Sequence, residues 1–346
     1  MAFTVSSLRR VATTTTLTTA FIITPLFNVV AQATTLNGAG ASFPKLLYQK
    51  YSQEYKKKTG NQVNYQAVGS GSGIRRTIKG AVDFGGSDAA MTDSQMKKGK
   101  AGERGIFLIP TAGGAVVPIF NVPGVNDLKL SRASLAGVFS GRITKWNDPK
   151  IQQDNPGVSL PNAKVRPVVR ADGSGTTFIF TNHLSAVDPY FKGRVGISKK
   201  PKWSNDPLKS PKNAGVAATV QRTKNSIGYV EYSYARTNGL KVASVQSGTG
   251  EFVQPSLQSI NDAFNSIQFP QNFRVFEGNP SKGYPIIGAT WMMVYRQYPD
   301  AEKAKSVKDW MKWVLTDGQD LNNSLDFARI GPDVVRRALA NVESIK

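Results

Sequence analysis

The chain of 346 residues contains no cysteine and a single histidine, His183. Without cysteine there is no disulfide, no thiol nucleophile and no thiolate zinc site, and one histidine cannot complete a Cys/His metal cluster. A Ser-His-Asp triad could use only His183, which stands in FTNHLSA, where helical spacing favours a packed or helix-surface histidine over a catalytic base. Gly85-Gly86-Ser87-Asp88-Ala89 matches a nucleophile elbow only loosely. No G-x-x-x-x-G-K-[ST] run is present, so nucleotide hydrolysis of the P-loop kind has no support.

Long hydrophobic runs are scarce as well. The most apolar N-terminal stretch, AFIITPLFNVV, has about half the ~20 residues that a membrane span needs. It follows Arg9 and Arg10 and precedes Ala31-Gln32-Ala33, the pattern of a signal peptide over residues 1–33 cut after Ala33. Val-Ala-Thr after the arginine pair matches twin-arginine export poorly, which favours the ordinary secretory route. With no cysteine at the cleavage site, no lipid anchor is expected. The expected product is soluble, in a periplasm or outside the cell.

Acidic residues are few against the basic ones, 23 against 44, for a formal charge of +21. The lysines are scattered through YKKKTG, MKKGK, SKKPK and KSPKN between segments of ordinary apolar patterning. That distribution reads as a solvated cationic surface rather than a nucleic-acid footprint, and an exported protein is poorly placed to meet nucleic acid. A small anionic solute would benefit from the same field.

The length beyond the leader exceeds what one small core usually holds, so two domains are expected. Short strand-like runs (NQVNYQAV, VDFGG, KVRPVVR, SIGYV, LKVASV) alternate with helical segments, which predicts an α/β fold with mostly parallel sheets. Leu47, Tyr51 and Tyr55 share one helix face, as do Val307, Trp310 and Val314, and both faces read as core. SNDPLKSPKN, residues 204–213, reads as a loop from its Pro, Asn and Ser content. Two longer apolar segments, residues 107–122 and 284–295, are candidate crossings between domains. They divide the chain into one discontinuous domain, 34–115 with 287–346, and a second over 116–286. A cleft between two such domains is a natural ligand site.

Four loops are rich in donors or acceptors. In VVRADGSGTTFIF a strand would end at Arg170, and the turn would deliver Ser174, Gly175 and Thr176 to the first turn of a helix. The unpaired N–H groups of a helix start carry roughly half a positive charge, and Arg170 adds a planar fork of donors. The set suits a tetrahedral oxyanion. A Gly-Ser turn of this kind also serves as a plain helix cap. AVGSGSGIRRTIKG places Ser70 at a second strand-to-helix turn, and LNGAGASFPKLLYQ places Ala41, Ser42 and Phe43 before Pro44 at a third. In VDFGGSDAAMTDSQM a strand ends at Asp88, and Thr92 with Gln95 makes a capping-box pattern. Asp88 either caps that turn or meets a ligand that carries a proton.

The order GAGASFP, NYQAVGSGSG, VDFGGSDA, Trp146-Asn147-Asp148-Pro149, RADGSGTTF and IGYVEY, over essentially all of residues 36–340, resembles the periplasmic phosphate-binding proteins of high-affinity phosphate ABC importers. The resemblance implies a class II periplasmic-binding-protein fold: two α/β domains, two crossing strands and a ligand cleft that closes by hinge motion. It also implies a phosphate shell of Ala41, Ser42, Phe43, Ser70, Asp88, Arg170, Ser174, Gly175 and Thr176, with Asp172 pairing with and orienting Arg170. Ser42 stands where the family often has Thr, and GSGSG replaces the GSSGG seen elsewhere, so the hydroxyl is kept while the backbone donor near Ser70 is unassigned. IGYVEY and the Trp-Asn-Asp-Pro run read as structural.

The implied protein is a monomer that binds inorganic phosphate on the order of 1 μM or tighter. It passes the ligand to membrane permease subunits, needs no cofactor or metal, and catalyses nothing. Binding of another oxyanion is the second reading, disfavoured by Asp88. An exported phosphate-ester hydrolase is the third, disfavoured by the lack of metal ligands and of an activated nucleophile.

Overall fold

The computed structural model describes residues 1–4, 34–204 and 206–346. The leader and its cleavage site at Ala31-Gln32-Ala33 lie outside the described residues. The described residues from Thr34 to Lys346 form one compact unit.

Twelve strands organise it among the described residues: β1 Thr35–Gly40, β2 Gln62–Ala67, β3 Phe84–Ser87, β4 Ile106–Asn121, β5 Lys129–Leu130, β6 Arg166–Arg170, β7 Leu208–Ser210, β8 Ser226–Glu231, β9 Lys241–Val242, β10 Ser244–Gln246, β11 Phe252–Val253 and β12 Ile287–Tyr295. The main sheet runs β2-β1-β3-β12-β4-β8-β6-β7, with β9 also on β4, and β11-β10-β5 makes a small second sheet. β1 pairs in parallel with β2 and β3, and β6 in parallel with β7 and β8.

The long strand β4 belongs to both halves of the main sheet. Ile106–Ala115 pair antiparallel with β12, and Val116–Asn121 pair antiparallel with β8. The change of partner falls at Ala115/Val116, and both strands are buried along nearly their whole length. A register shift between Thr290 and Trp291 sets Trp291 opposite Pro110 and Thr290 opposite Ala112. Such bulges re-aim side chains, and here the Thr290 hydroxyl is turned toward Asp88.

Helices pack on the sheet through the faces that the sequence periodicity predicts. In the helix Lys45–Thr59 the buried residues are Leu47, Tyr48, Tyr51 and Tyr55, and the helix stops at Gly60, whose φ of +76° suits glycine. In Ala301–Leu315 they include Val307, Trp310 and Val314. The two faces meet through Tyr55, whose ring lies 5.0 Å from Trp310 and 5.5 Å from Trp313. Full burial of side chains of this kind stabilises by about 1.5–3 kcal/mol each.

Three sequence expectations are corrected. The sheet is mixed rather than mostly parallel, because the long strands β4 and β12 pair antiparallel with each other and with β8 and β3 respectively. SNDPLKSPKN is not loop throughout, because Leu208–Ser210 pair in parallel with Val168–Arg170 and a helix begins at Lys212. Tertiary pairing on a sheet edge outweighs the local Pro and Ser content. LKVASV is not one strand either: Lys241–Val242 join β4, while Ser244–Gln246 join the small sheet.

Candidate functional site

The parallel strands point their carboxyl ends the same way within each half of the sheet, and each is followed at once by a polar turn. After β1 come Ala41, Ser42 and Phe43; after β2, Ser70; after β3, Asp88; after β6, Arg170 at its last position and then Asp172 and Ser174. Crevices at strand carboxyl ends are where open α/β sheets hold ligands.

Ser70 opens the helix Ser70–Lys79, and its hydroxyl is fully buried. Its Oγ accepts the backbone N–H of Asp88 at 3.2 Å and of Gly175 at 3.1 Å, and donates to Asp88 Oδ2 at 3.3 Å. The Gly71 N–H donates to the Gly173 carbonyl at 2.9 Å, so the turn after β2 lies directly against the turn after β6. Gly69, with φ +91°, has no room for a side chain beside the Asp172 carboxylate.

Asp88 is buried, and its second oxygen accepts the Thr290 hydroxyl at 2.8 Å. Burial pushes its carboxyl up to about 7, against the opposing pull of the Thr290 hydroxyl, the Arg170 charge and the Ser70 hydroxyl. Neither oxygen caps the next helix, Asp93–Met96. That start is capped by the reciprocal Thr92 and Gln95 bonds.

Arg170 is buried to its guanidinium. Nε donates to Asp172 Oδ1 at 2.9 Å and Nη2 to Oδ2 at 2.6 Å, a bidentate pair that orients the plane, while Nη1 donates to Thr176 Oγ1 at 3.2 Å. Burial works to raise the Asp172 carboxyl, but the Arg170 bond and charge outweigh it and hold the group below the usual carboxylate range. Ser174 Oγ accepts the Thr177 N–H at 3.0 Å and so caps the helix Gly175–Val187.

On the turn after β1, the Ala41 N–H is already committed to the Gly86 carbonyl at 2.9 Å, and the Ala41 carbonyl accepts the Tyr65 hydroxyl at 2.9 Å. Ala41 therefore anchors the turn, and the donors it presents are those of Ser42 and Phe43. Tyr234 donates its hydroxyl to the Ser42 carbonyl at 2.7 Å.

Two residues in this network were not singled out by sequence reasoning. Asn213, which donates to the Ser42 and Thr176 hydroxyls, is hidden in a stretch that reads as loop, and Thr290 in an apolar strand where it is the one aliphatic hydroxyl. A polar residue at a strand end or within a crossing strand was the available signal. Elsewhere, His183 is buried with Nδ1 donating to the Gly278 carbonyl at 2.8 Å, and burial pulls it down to about 4, so the ring is neutral. Glu231 of IGYVEY caps the helix Tyr232–Thr237 through the Ser233 N–H and hydroxyl, and burial raises it to about 8. Trp146 donates its indole N–H to the Asn225 carbonyl at 3.1 Å and Asp148 caps the helix Pro149–Asp154, which are structural tasks.

A curled mixed sheet of two α/β halves sharing one long strand, with helix starts gathered at strand carboxyl ends, is the two-domain fold of the periplasmic binding proteins. The model of the PBP superfamily domain matches residues 28–318. The phosphate-binding protein PstS of Haemophilus influenzae is 40% identical over 311 residues, covering 88% of this chain and 91% of that one. Its namesake in Pasteurella multocida is 38% identical over 327 residues, with 92% and 93% covered. The solved structure of a high-affinity periplasmic phosphate-binding protein (PfluDING) bound with phosphate superposes with a TM-score of 0.74, covering 88% of this chain and 93% of that one. At 21% identity that likeness concerns the fold. This chain belongs to the PBP superfamily and, within it, to the family of the phosphate-binding proteins PstS.

Proposed function

We propose that this protein captures inorganic phosphate outside the cytoplasm and delivers it to the membrane permease subunits of a phosphate ABC importer. The observation that carries this reading is Asp88, a buried carboxyl pushed up to about 7 and set among the donors of three strand-to-helix turns and Arg170. Phosphate near neutral pH accepts hydrogen bonds on most of its oxygens and keeps an ionisable O–H. One proton is then shared between ligand and Asp88, while Arg170 and the helix starts answer the remaining charge. Above about pH 7, where Asp88 is ionised, fully deprotonated sulfate brings no proton and leaves the buried carboxylate facing another acceptor. Sites built around a substrate O–H reject its absence by ~10⁴-fold or more.

In this reading Ser42, Phe43, Ser70 and Asp88 act from one lobe, residues 34–115 with 287–346. Arg170, Ser174, Gly175 and Thr176 act from the other, residues 116–286. β4 and the chain leading into β12 form the hinge, and Asp172 and Ala41 support from behind. The ligand is bound and released unchanged by a monomer. Export rests on the leader pattern over residues 1–33, and among the described residues no helix is long and apolar enough to cross a membrane.

Calorimetric titration of the purified protein with phosphate, sulfate and arsenate tests the reading. At about pH 8, where Asp88 is ionised, phosphate should bind with Kd on the order of 1 μM or tighter, and sulfate at least ~10⁴-fold more weakly. Equal affinity for sulfate would make the protein a general oxyanion carrier, and turnover of a phosphate ester would contradict simple capture.

A further inference from the structure

Asn213 begins a helix, Lys212–Arg222, directly after β7, and its side chain is fully buried. Its amide touches hydroxyls from both halves of the molecule. Nδ2 donates to Ser42 Oγ at 3.0 Å and to Thr176 Oγ1 at 3.1 Å. The orientation of the amide is not ambiguous, because its oxygen accepts the backbone N–H of Glu231 at 3.0 Å, which only an oxygen can do.

The consequence lies in where the hydroxyl protons go. A serine or threonine hydroxyl has one proton and two lone pairs. Ser42 Oγ accepts from Asn213 twice, from Nδ2 and from the backbone N–H at 3.3 Å. Thr176 Oγ1 also accepts twice, from Asn213 Nδ2 and from Arg170 Nη1 at 3.2 Å. With both lone pairs engaged, each hydroxyl has only its proton left to offer. We infer that Asn213 is a positioning residue that turns the Ser42 and Thr176 hydroxyls into obligatory donors, so that this wall of the site accepts only a ligand rich in acceptor oxygens.

This inference rests on the proposed capture of phosphate and adds a polarity rule to it. Ser70 shows the contrast: its oxygen also accepts two N–H groups, but its proton goes to Asp88, so its polarity is set within its own half and by Gly175. Asn213 works on the two hydroxyls whose protons have no such partner among the described residues. By bonding to both at once it also ties their geometry to closure of the two halves.

A double-mutant cycle read by phosphate titration tests it. Asn213→Ala should weaken binding about tenfold, the worth of a typical hydrogen bond. Ser42→Ala should then cost much less in the Asn213→Ala background than in the wild type, because a freely rotating hydroxyl is already a poor donor. Asn213→Asp keeps the volume and the Glu231 bond but presents an acceptor to both hydroxyls. It should weaken phosphate binding more than Asn213→Ala, while the melting temperature without phosphate changes less than in Asn213→Ala. Additive losses in the cycle, or an Asp variant that binds phosphate as well as the Ala variant, would overturn the inference. A wild-type protein that binds no phosphate would overturn the capture reading with it.

Discussion

Gly175 donates its backbone N–H to Ser70 Oγ over 3.1 Å, joining the first turns of two helices whose starts are 105 residues apart in the chain. No side chain fits between them. A Cβ on residue 175 would stand 2.4 Å from Asp88 Oδ2, 2.5 Å from Ser70 Oγ and 2.6 Å from Asp88 Cβ. Gly175→Ala must therefore push the two turns apart, an overpacking worth about 1–3 kcal/mol. Phosphate affinity should fall by roughly one to two orders of magnitude, with a smaller loss of melting temperature without ligand. Unchanged affinity would mean that the two turns do not close to this distance around the ligand.

Arg170 brings a full positive charge to the site and is held flat by Asp172. Arg170→Ala removes that charge and leaves the Asp172 carboxylate with the Lys212 N–H as its remaining partner, facing an anion. Binding should weaken by roughly 1.5–3 kcal/mol, the range for hydrogen bonds to charged groups. Arg170→Lys should recover only part of this, since a point charge cannot reproduce the fork that pairs with Asp172 while reaching Thr176. Equal affinities for wild type and both variants, measured by titration, would remove Arg170 from the site.

The site was legible where one local segment carries its own chemistry. RADGSGTT contains the strand end, the cation, the orienting carboxylate and the helix cap in eight consecutive residues, so spacing alone brings them together. Asn213 and Thr290 depend on distant pairing instead. Asn213 is placed by a three-residue edge strand that forms only because β6 is there to pair with it, and Thr290 is aimed by a register shift against β4. The main helices were legible from period alone, whereas LKVASV divided between two sheets because its halves find different distant partners. Neither kind of information is present in a local window.

Titration of buried groups should make stability depend on pH in a separable way. Folded Asp88 keeps its proton up to about 7, whereas an unfolded aspartate loses it near ~3.9. Between those values the folded state binds more protons, so this contribution is present at low pH and is lost as pH rises through about 7. Glu231, raised to about 8, acts in the same sense. His183, lowered to about 4, acts in the opposite sense, and its contribution is lost as pH falls below ~6.5. Comparing wild type with Asp88→Asn cancels the His183 contribution and most of that of Glu231, which is raised chiefly by burial and only in small part by the Asp88 charge. Without phosphate, the melting temperature of the wild type should fall relative to the variant between pH 5 and 8. Parallel curves would show that Asp88 titrates in the folded state as it does in the unfolded chain.

The same carboxyl separates affinity from selectivity. Asp88→Asn keeps an acceptor oxygen for the phosphate O–H and replaces the other oxygen with an N–H₂ that can donate to sulfate. It also removes a negative charge facing a dianion, which offsets the weaker hydrogen bond of a neutral acceptor. Phosphate affinity should therefore change modestly, while sulfate begins to compete. The wild type offers an internal check, because protonated Asp88 is itself a donor. As pH falls below about 7, sulfate should compete progressively better against phosphate in the wild type, and the Asn variant should behave at every pH as the wild type does at low pH. Competition titrations across pH 5 to 8 decide the matter. Sulfate exclusion that is independent of pH in the wild type and unaltered in Asp88→Asn would place discrimination elsewhere among the donors and leave Asp88 a buried partner of Ser70 and Thr290.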